Sequence, residues 1–239
     1  MRSPLPDQTA GIEGSAVPDA TQAKLLEAAG QVFSELGFHA ATVREICARA
    51  GANVAAVNYH FGDKLELYVA VLKYSMCLAQ PEVLRELMAE DVPPEEKIPR
   101  FVRLMLRKMH GVERPAWYFK IMAHEMAHPT PALGRIVEEI LQPNYSRFSE
   151  LVGRALGLPA AHETTRLCVH SIVGQVLHYG HGRAVLAHLW PELQMTPERI
   201  DQVADHIAQF SLAGLAAVRG RVAEHRAPQR KNESRRRSK

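Results

Sequence analysis

Thr42-Val43-Arg44-Glu45-Ile46-Cys47-Ala48-Arg49-Ala50-Gly51-Ala52-Asn53-Val54-Ala55-Ala56-Val57-Asn58-Tyr59-His60-Phe61-Gly62-Asp63-Lys64 is the stretch on which the reading of this chain turns. Thr42 followed three residues later by Glu45 is a capping box. The threonine hydroxyl takes the Glu45 amide while the carboxylate reaches back, so a helix opens there. That helix is short, is expected to bury Val43, Ile46 and Ala50, and stops at Gly51, which tolerates the left-handed backbone of a helix end. Asn53 can cap a second short helix with Val54, Val57 and Phe61 turned inward. Asp63, three residues before Glu66, caps a longer helix carrying Leu67, Val71 and Tyr74.

Working outward, Leu25, Ala29, Val32, Phe33 and Leu36 recur at helical spacing, with Asp19 and Gln22 as an N-terminal capping pair and Gly37 at the C-terminal end. Residues 1–18 hold Pro4, Pro6, Gly11, Gly14 and Pro18 among few bulky apolar side chains, so a leader without a core is expected. Downstream, helices are predicted over 94–110, 115–128, 131–156, 162–187 and 197–219, punctuated by prolines and glycines, with Pro143 kinking or splitting the third. No β-alternating segment and no repeat is present. The fold class is therefore all-α: an N-terminal helix-turn-helix domain over 19–79, a helical domain over 80–220, and a disordered tail over 221–239. In its last fourteen residues Arg226, Arg230, Lys231, Arg235, Arg236, Arg237 and Lys239 stand against Glu233.

The totals narrow the class further. Hydrophobic residues make up 46% of 239, enough for a packed core, and no run reaches the 18 or so apolar residues of a membrane span. The opening Met1-Arg2-Ser3-Pro4 lacks an apolar signal, so a cytoplasmic protein is expected. Cys47, Cys77 and Cys168 are too few and too scattered for a disulfide framework and read as reduced, mostly buried thiols. A net charge of +3 does not by itself announce a nucleic-acid binder.

Two short helices joined by a three-residue turn make a helix-turn-helix, in which the first braces the second and the outward side chains of the second enter the major groove. With the aliphatic residues inward, the outer face holds Ala55, Asn58, Tyr59 and His60. Asparagine pairs with an adenine edge, a small alanine permits close approach or meets a thymine methyl, and Tyr59 and His60 suit phosphate oxygens. Thr42 and Lys64 stand at helix N-termini, where amides favour phosphate. A compact helical subdomain with a solvated polar face is the competing reading.

The run Thr42 to Gly51, then Asn53, then Val57 to Lys64, resembles the signature of TetR-family regulators. That pattern has a Thr opening helix two, an Ala-Gly turn, an aromatic-His-Phe close to helix three and a Lys opening helix four. The resemblance spans residues 19–79 and implies double-stranded operator DNA as partner, with Thr42, Arg44, Asn53, Ala55, Asn58, Tyr59, His60 and Lys64 at the interface. It implies in particular that Thr42, Tyr59, His60 and Lys64 anchor the phosphate backbone. Two departures stand out. The family often has Gly-Thr where this chain has Ala55-Ala56, and Tyr where it has Asn58, so its base preference should differ and Asn58 can read a base.

In the C-terminal half, Leu167, Ile172, Val176 and Tyr179 form one apolar face and Ile200, Val203, Ile207, Phe210 and Leu215 another. Paired across a two-fold axis they would make a four-helix bundle and a homodimer, the alternative being that each packs in its own core. The segments Met122 to Pro131, and His178 to Arg183 through Leu189-Trp190, are similar to the CecR-like (YbiH-like) branch. That likeness, over about 95–218, implies control of genes for export of or resistance to toxic compounds such as antibiotics. Trp117, Tyr118, Met122 and His124 are candidate lining for a small-molecule effector pocket, with Phe119 beside them, although the same spacing is what a core shows. His124-Glu125-Met126-Ala127-His128 also matches the zinc-hydrolase pattern, with Glu150, Glu138 or Glu139 as a conceivable third ligand. Its last histidine abuts Pro129, at a helix end. No cofactor, no metal and no catalytic role is therefore expected, and a zinc hydrolase stands as the alternative. A helical interaction module that no longer binds DNA is the other.

Overall fold

A computed structural model describes residues 19–77, 92–110 and 117–237, side chains aside at 75–77, 118–119 and 225–237. The expected leader lies outside these residues. Among the described residues every regular element is helical, and no described helix is long and apolar enough to cross a membrane. Two compact units part after Val71.

The first unit begins with α1 (Ala20–Ala40). Asp19 Oδ1 accepts from the amides of Thr21 and Gln22 at 2.9 and 2.8 Å, satisfying two donors that a helix start leaves over. Leu25, Leu26, Ala29, Val32 and Phe33 form the buried stripe. Gly37 takes a positive φ of 74° but an extended ψ of 170°, so the helix breaks there without the left-handed cap that the sequence suggests and makes one more turn through Ala40. Then come α2 (Val43–Ala50), α3 (Val54–Phe61) and α4 (Lys64–Cys77), the element in which the chain leaves this unit. Ile46, Val57, Leu67 and Val71 are wholly buried, each contributing roughly 1.5–3 kcal/mol of apolar burial. Tyr68 meets Phe33 edge-on at 4.7 Å.

The second unit is built on α5 (Pro94–His110), whose Ile98, Val102, Leu106 and Met109 lie on one face. They join a single core with residues of α8 (Gln142–Leu156), α9 (Glu163–His181) and α11 (Pro197–Arg237). Phe101 stacks on Phe148 at 3.9 Å, and Arg107 grips Asp201 with Nε and Nη2 at 2.9 and 2.6 Å. The shorter α6 (Trp117–Ala127), α7 (Pro131–Ile136) and α10 (Arg183–Leu189) complete it. The helix expected over 131–156 is divided by a π turn, Val137–Leu141. Pro143 has no N–H and its ring would crowd the carbonyl four residues back. The wider turn accommodates this, with the Gln142 amide donating to Val137 O and Asn144 Nδ2 donating to Ile140 O at 2.9 Å. Gly182 likewise separates α9 from α10 within the expected 162–187 helix. The backbone of α11 runs to Arg237, so most of the segment expected to be a disordered tail is helical.

The two apolar faces assigned to dimerisation divide. Ile172, Val176, Ile200, Val203, Ile207 and Leu215 belong to the core of their own unit. Leu167 and Phe210 stand out at 62% and 65% exposure. Phe210 misses the core because the buried stripe of α11 continues from Ile207 to Ser211, one residue and about 100° further round the helix. Cys47 is buried and Cys168 half-buried, both as free thiols, and burial raises the pKa of each. The Cys77 side chain lies outside the described residues.

Candidate nucleic-acid interface

Local chemistry builds the two-helix unit. Thr42 is extended (φ −118°, ψ 145°) and its Oγ1 accepts from the Glu45 amide at 3.2 Å, which is one leg of the capping box. At the other end Gly51 is left-handed (φ 63°, ψ 34°). The Ala52 amide reaches Cys47 O at 2.9 Å and that of Gly51 reaches Ala48 O at 3.4 Å, the paired bonds of a Schellman closure. Asn53 Oδ1 then accepts from Ala55 N at 2.8 Å and starts α3. Only three residues separate α2 from α3, so the angle between them is set by these caps and by Val57, the one fully buried residue of α3.

The outer face of α3 presents Ala55, Asn58 and Tyr59, all exposed, with Tyr59 86% accessible. Val54, expected inward, is 41% exposed and joins this edge. Helical side chains lean toward the N-terminus, so one at the first position projects past the helix end. Thr42, Arg44 and Asn53 are also exposed. Arg44 has no carboxylate partner among the described residues, whereas Arg49 is held by Glu35 at 2.8 Å. This face therefore offers the Arg44 guanidinium, a phenol, a carboxamide and the small or aliphatic side chains of Ala55 and Val54, groups that can read a groove and hold a phosphate.

Two residues expected at this face are engaged elsewhere. His60 is largely covered, with Nδ1 3.7 Å from Asp19 Oδ2. The Asp19 carboxyl is held below its ordinary pKa, first by the Gln22 amide and to a smaller extent by His60. Lys64 Nζ points inward, at 2.9, 3.4 and 3.1 Å from the carbonyl oxygens of Phe38, His39 and Ala41. It also lies 4.6 Å from the centre of the Phe38 ring. No sequence pattern signals this, because the partners are backbone atoms more than twenty residues away.

In the second unit the zinc pattern dissolves. His124 and His128 are exposed at the end of α6, while Glu125 is 1% exposed and turned inward. Its Oε1 accepts from Thr130 N at 2.8 Å, and Thr130 Oγ1 lies 3.0 and 3.1 Å from the two carboxylate oxygens. Thr130 Oγ1 in turn accepts from Ala132 N at 3.2 Å and caps α7. Glu125 is thus the staple of a helix junction. Among the described residues no three His, Cys, Asp or Glu side chains converge as a metal site.

Of the expected pocket residues, Trp117 and Met122 are buried, His124 faces solvent, and the Tyr118 and Phe119 side chains lie outside the described residues. Sequence reasoning missed His110 at the end of α5. Burial, and then the nearby Arg183 guanidinium, push its pKa from 6.5 to about 4, against a hydrogen bond to the Tyr179 backbone. Its Nε2 is buried with no hydrogen-bond partner among the described residues. Arg183 donates to Met109 O beside it, and Gly180 lies so close to the Met109 side chain that a Cβ would collide with it.

Comparison with known proteins agrees with this architecture. The family model for bacterial regulatory proteins of the tetR family matches residues 25–71. The model for the C-terminal domain of the HTH-type transcriptional dual regulator CecR matches 94–215. The CecR protein of Shigella flexneri is 27% identical over 172 residues, 68% of this chain and 77% of that protein. The HTH-type transcriptional activator FasR of Mycolicibacterium smegmatis is 46% identical over 61 residues, 25% of this chain and 28% of that one. Among solved structures, the transcriptional regulator FadR from Bacillus subtilis, in complex with stearoyl-CoA, aligns with a TM-score of 0.60 at 15% identity, covering 80% of this chain and 98% of that one. A TetR-like transcriptional regulator from Rhodococcus sp. RHA1 aligns with a TM-score of 0.57 at 18% identity, covering 82% and 96%.

Proposed function

Because the chain belongs to the TetR family of bacterial regulatory proteins, with a C-terminal domain of the CecR type, we propose that it represses transcription from a roughly palindromic operator and is released by a small-molecule effector. The observation that carries the DNA reading is the outer face of α3. Ala55, Asn58 and Tyr59 are offered to solvent on a helix fixed from behind by Val57 and from its start by Asn53. In this reading Asn58 reads a base edge, Ala55 permits close approach, and Thr42, Arg44, Asn53 and Tyr59 hold the backbone. His60 supports from behind through Asp19.

Two copies are needed to place two such helices in successive major grooves, about 34–36 Å apart. Leu167 and Phe210 are exposed on α9 and α11, and Gly174 and Gly214 on the same helices have open space where a side chain would stand. Large apolar groups beside small ones suit close packing of a second copy into a homodimer. The effector would bind within the second unit, where the unmet Nε2 of His110 asks for a hydrogen-bond donor, and it must bind the two states of the dimer unequally to act. Targets concerned with export of, or resistance to, toxic compounds are proposed only on the resemblance of Met122 to Pro131 and His178 to Trp190 to the CecR-like branch.

The test is selection of bound duplexes from a random pool by the native chain, repeated with Asn58→Ala and Tyr59→Ala. Asn58→Ala should relax preference at one position per half-site, a discrimination of about 1–3 kcal/mol. Tyr59→Ala should weaken all sequences alike. Failure to enrich any duplex would overturn the regulator reading, and equal loss at every base with Asn58→Ala would make that residue an anchor only.

A further inference from the structure

Lys64 stands at the start of α4, and its three ammonium protons face three backbone carbonyls, those of Phe38, His39 and Ala41. An ammonium has three donors and no more. The carbonyls converge because Gly37 breaks α1 and the chain then winds through one tight turn, the Ala41 amide returning to Gly37 O at 3.3 Å. Beneath the ammonium lies the Phe38 ring, itself packed against Tyr68 of α4 at 5.0 Å and Phe33 of α1 at 6.2 Å. Ala41 is the residue directly before Thr42, the cap of α2.

We propose that Lys64 is a positioning residue for DNA binding: it clasps the α1–α2 turn to α4 and so fixes Thr42 and the helix-turn-helix behind it, without itself contacting phosphate. This rests on the operator-binding reading above. All three acceptors are main-chain oxygens of the turn, and each loses this donor when Lys64 is replaced. A point-like ammonium serves three convergent carbonyls in a way that the planar guanidinium of arginine does not. The consequence is specific. A phosphate contact tolerates arginine and shows itself in the salt dependence of binding; a clasp does neither.

The experiment uses the full chain, a duplex enriched by selection with the native protein, and two variants, Lys64→Met and Lys64→Arg. Far-UV circular dichroism at low temperature first establishes that each is folded. Both are expected to bind that duplex about tenfold more weakly, equivalent to roughly 1.4 kcal/mol. The slope of log affinity against log salt should match that of the native chain in both. Without DNA, amide exchange of Ala41 and Ile46, which bond to Gly37 O and Thr42 O, should accelerate. The proposal is overturned if Lys64→Arg binds like the native chain while Lys64→Met lowers the slope by about 0.9, the mark of one lost phosphate. It is overturned equally if both folded variants bind as the native chain does. Should Lys64→Met not fold, the arginine variant carries the test alone. If the native chain selects no duplex, it is the regulator reading that fails; the amide-exchange result then still judges the clasp.

Discussion

Replacing Glu125 with alanine should destabilise the second unit far more than removing either histidine beside it. The carboxylate accepts from Thr130 N at 2.8 Å and lies within 3.1 Å of the Thr130 hydroxyl, all of it buried. Alanine leaves that N–H without a partner and lets the hydroxyl turn from its task of capping α7. Hydrogen bonds to a charged group contribute roughly 1.5–3 kcal/mol, and a weakened N-cap adds about 1 kcal/mol, so a loss of about 3 kcal/mol is expected. For a unit of this size that lowers Tm by roughly 6–12 °C. Glu125→Gln keeps the shape and one acceptor and should cost about 1 kcal/mol. His124→Ala and His128→Ala, both exposed, should stay within about 0.5 kcal/mol of the native chain. Thermal unfolding followed by circular dichroism, with and without equimolar zinc, measures all four. A native-like Tm for Glu125→Ala, together with a zinc-dependent Tm that either histidine variant abolishes, would refute the staple and restore the metal reading.

Two further outcomes follow from the same unit. Gly214→Arg puts a bulky cation where a Cβ meets nothing within 4 Å, so the folded subunit should be as stable as before while sedimentation shows a monomer; an unchanged dimer would move the interface off α11. His110 titrates near 4 in the folded chain against an ordinary 6.5, so the native state takes up its proton later than the unfolded state does. Its contribution is complete above about pH 6.5 and is lost as pH falls toward 4. Urea denaturation of the native chain and His110→Leu at pH 7 and pH 5 should show a smaller pH effect in the variant, and equal slopes would remove His110 from the account.

The helices of the first unit were legible because their boundaries are local chemistry. Asp19, Thr42, Asn53 and Asp63 each bond an amide two or three residues ahead, and Gly51 supplies the one left-handed residue that the turn requires. The polar edge of α3 follows from those boundaries and from helical spacing. Lys64 and Glu125 were not legible, since what each does depends on backbone atoms that only the folded chain assembles. Periodicity grouped Leu167 and Phe210 with Ile172, Val176, Ile200, Val203, Ile207 and Leu215, whereas the six fill the core of their own unit and the two stand exposed. Spacing marks an apolar face but not which of its residues land inside, because that turns on a single residue of register.

The π turn before Pro143 has a consequence for how this chain can change over evolution. Such a turn holds one residue more than an α-helix would, so Val137–Leu141 acts as an inserted letter in a helical text. Deleting any one of the five would close the turn to α-helical spacing and leave Phe148, Leu151, Val152 and Leu156 on the core they now fill, but it would press the Pro143 ring against the carbonyl four residues back. Substitutions across those five positions, none of which is buried, are cheap by comparison. The segment is thus free in spelling but fixed in length, and Pro143 is the mark that holds its frame.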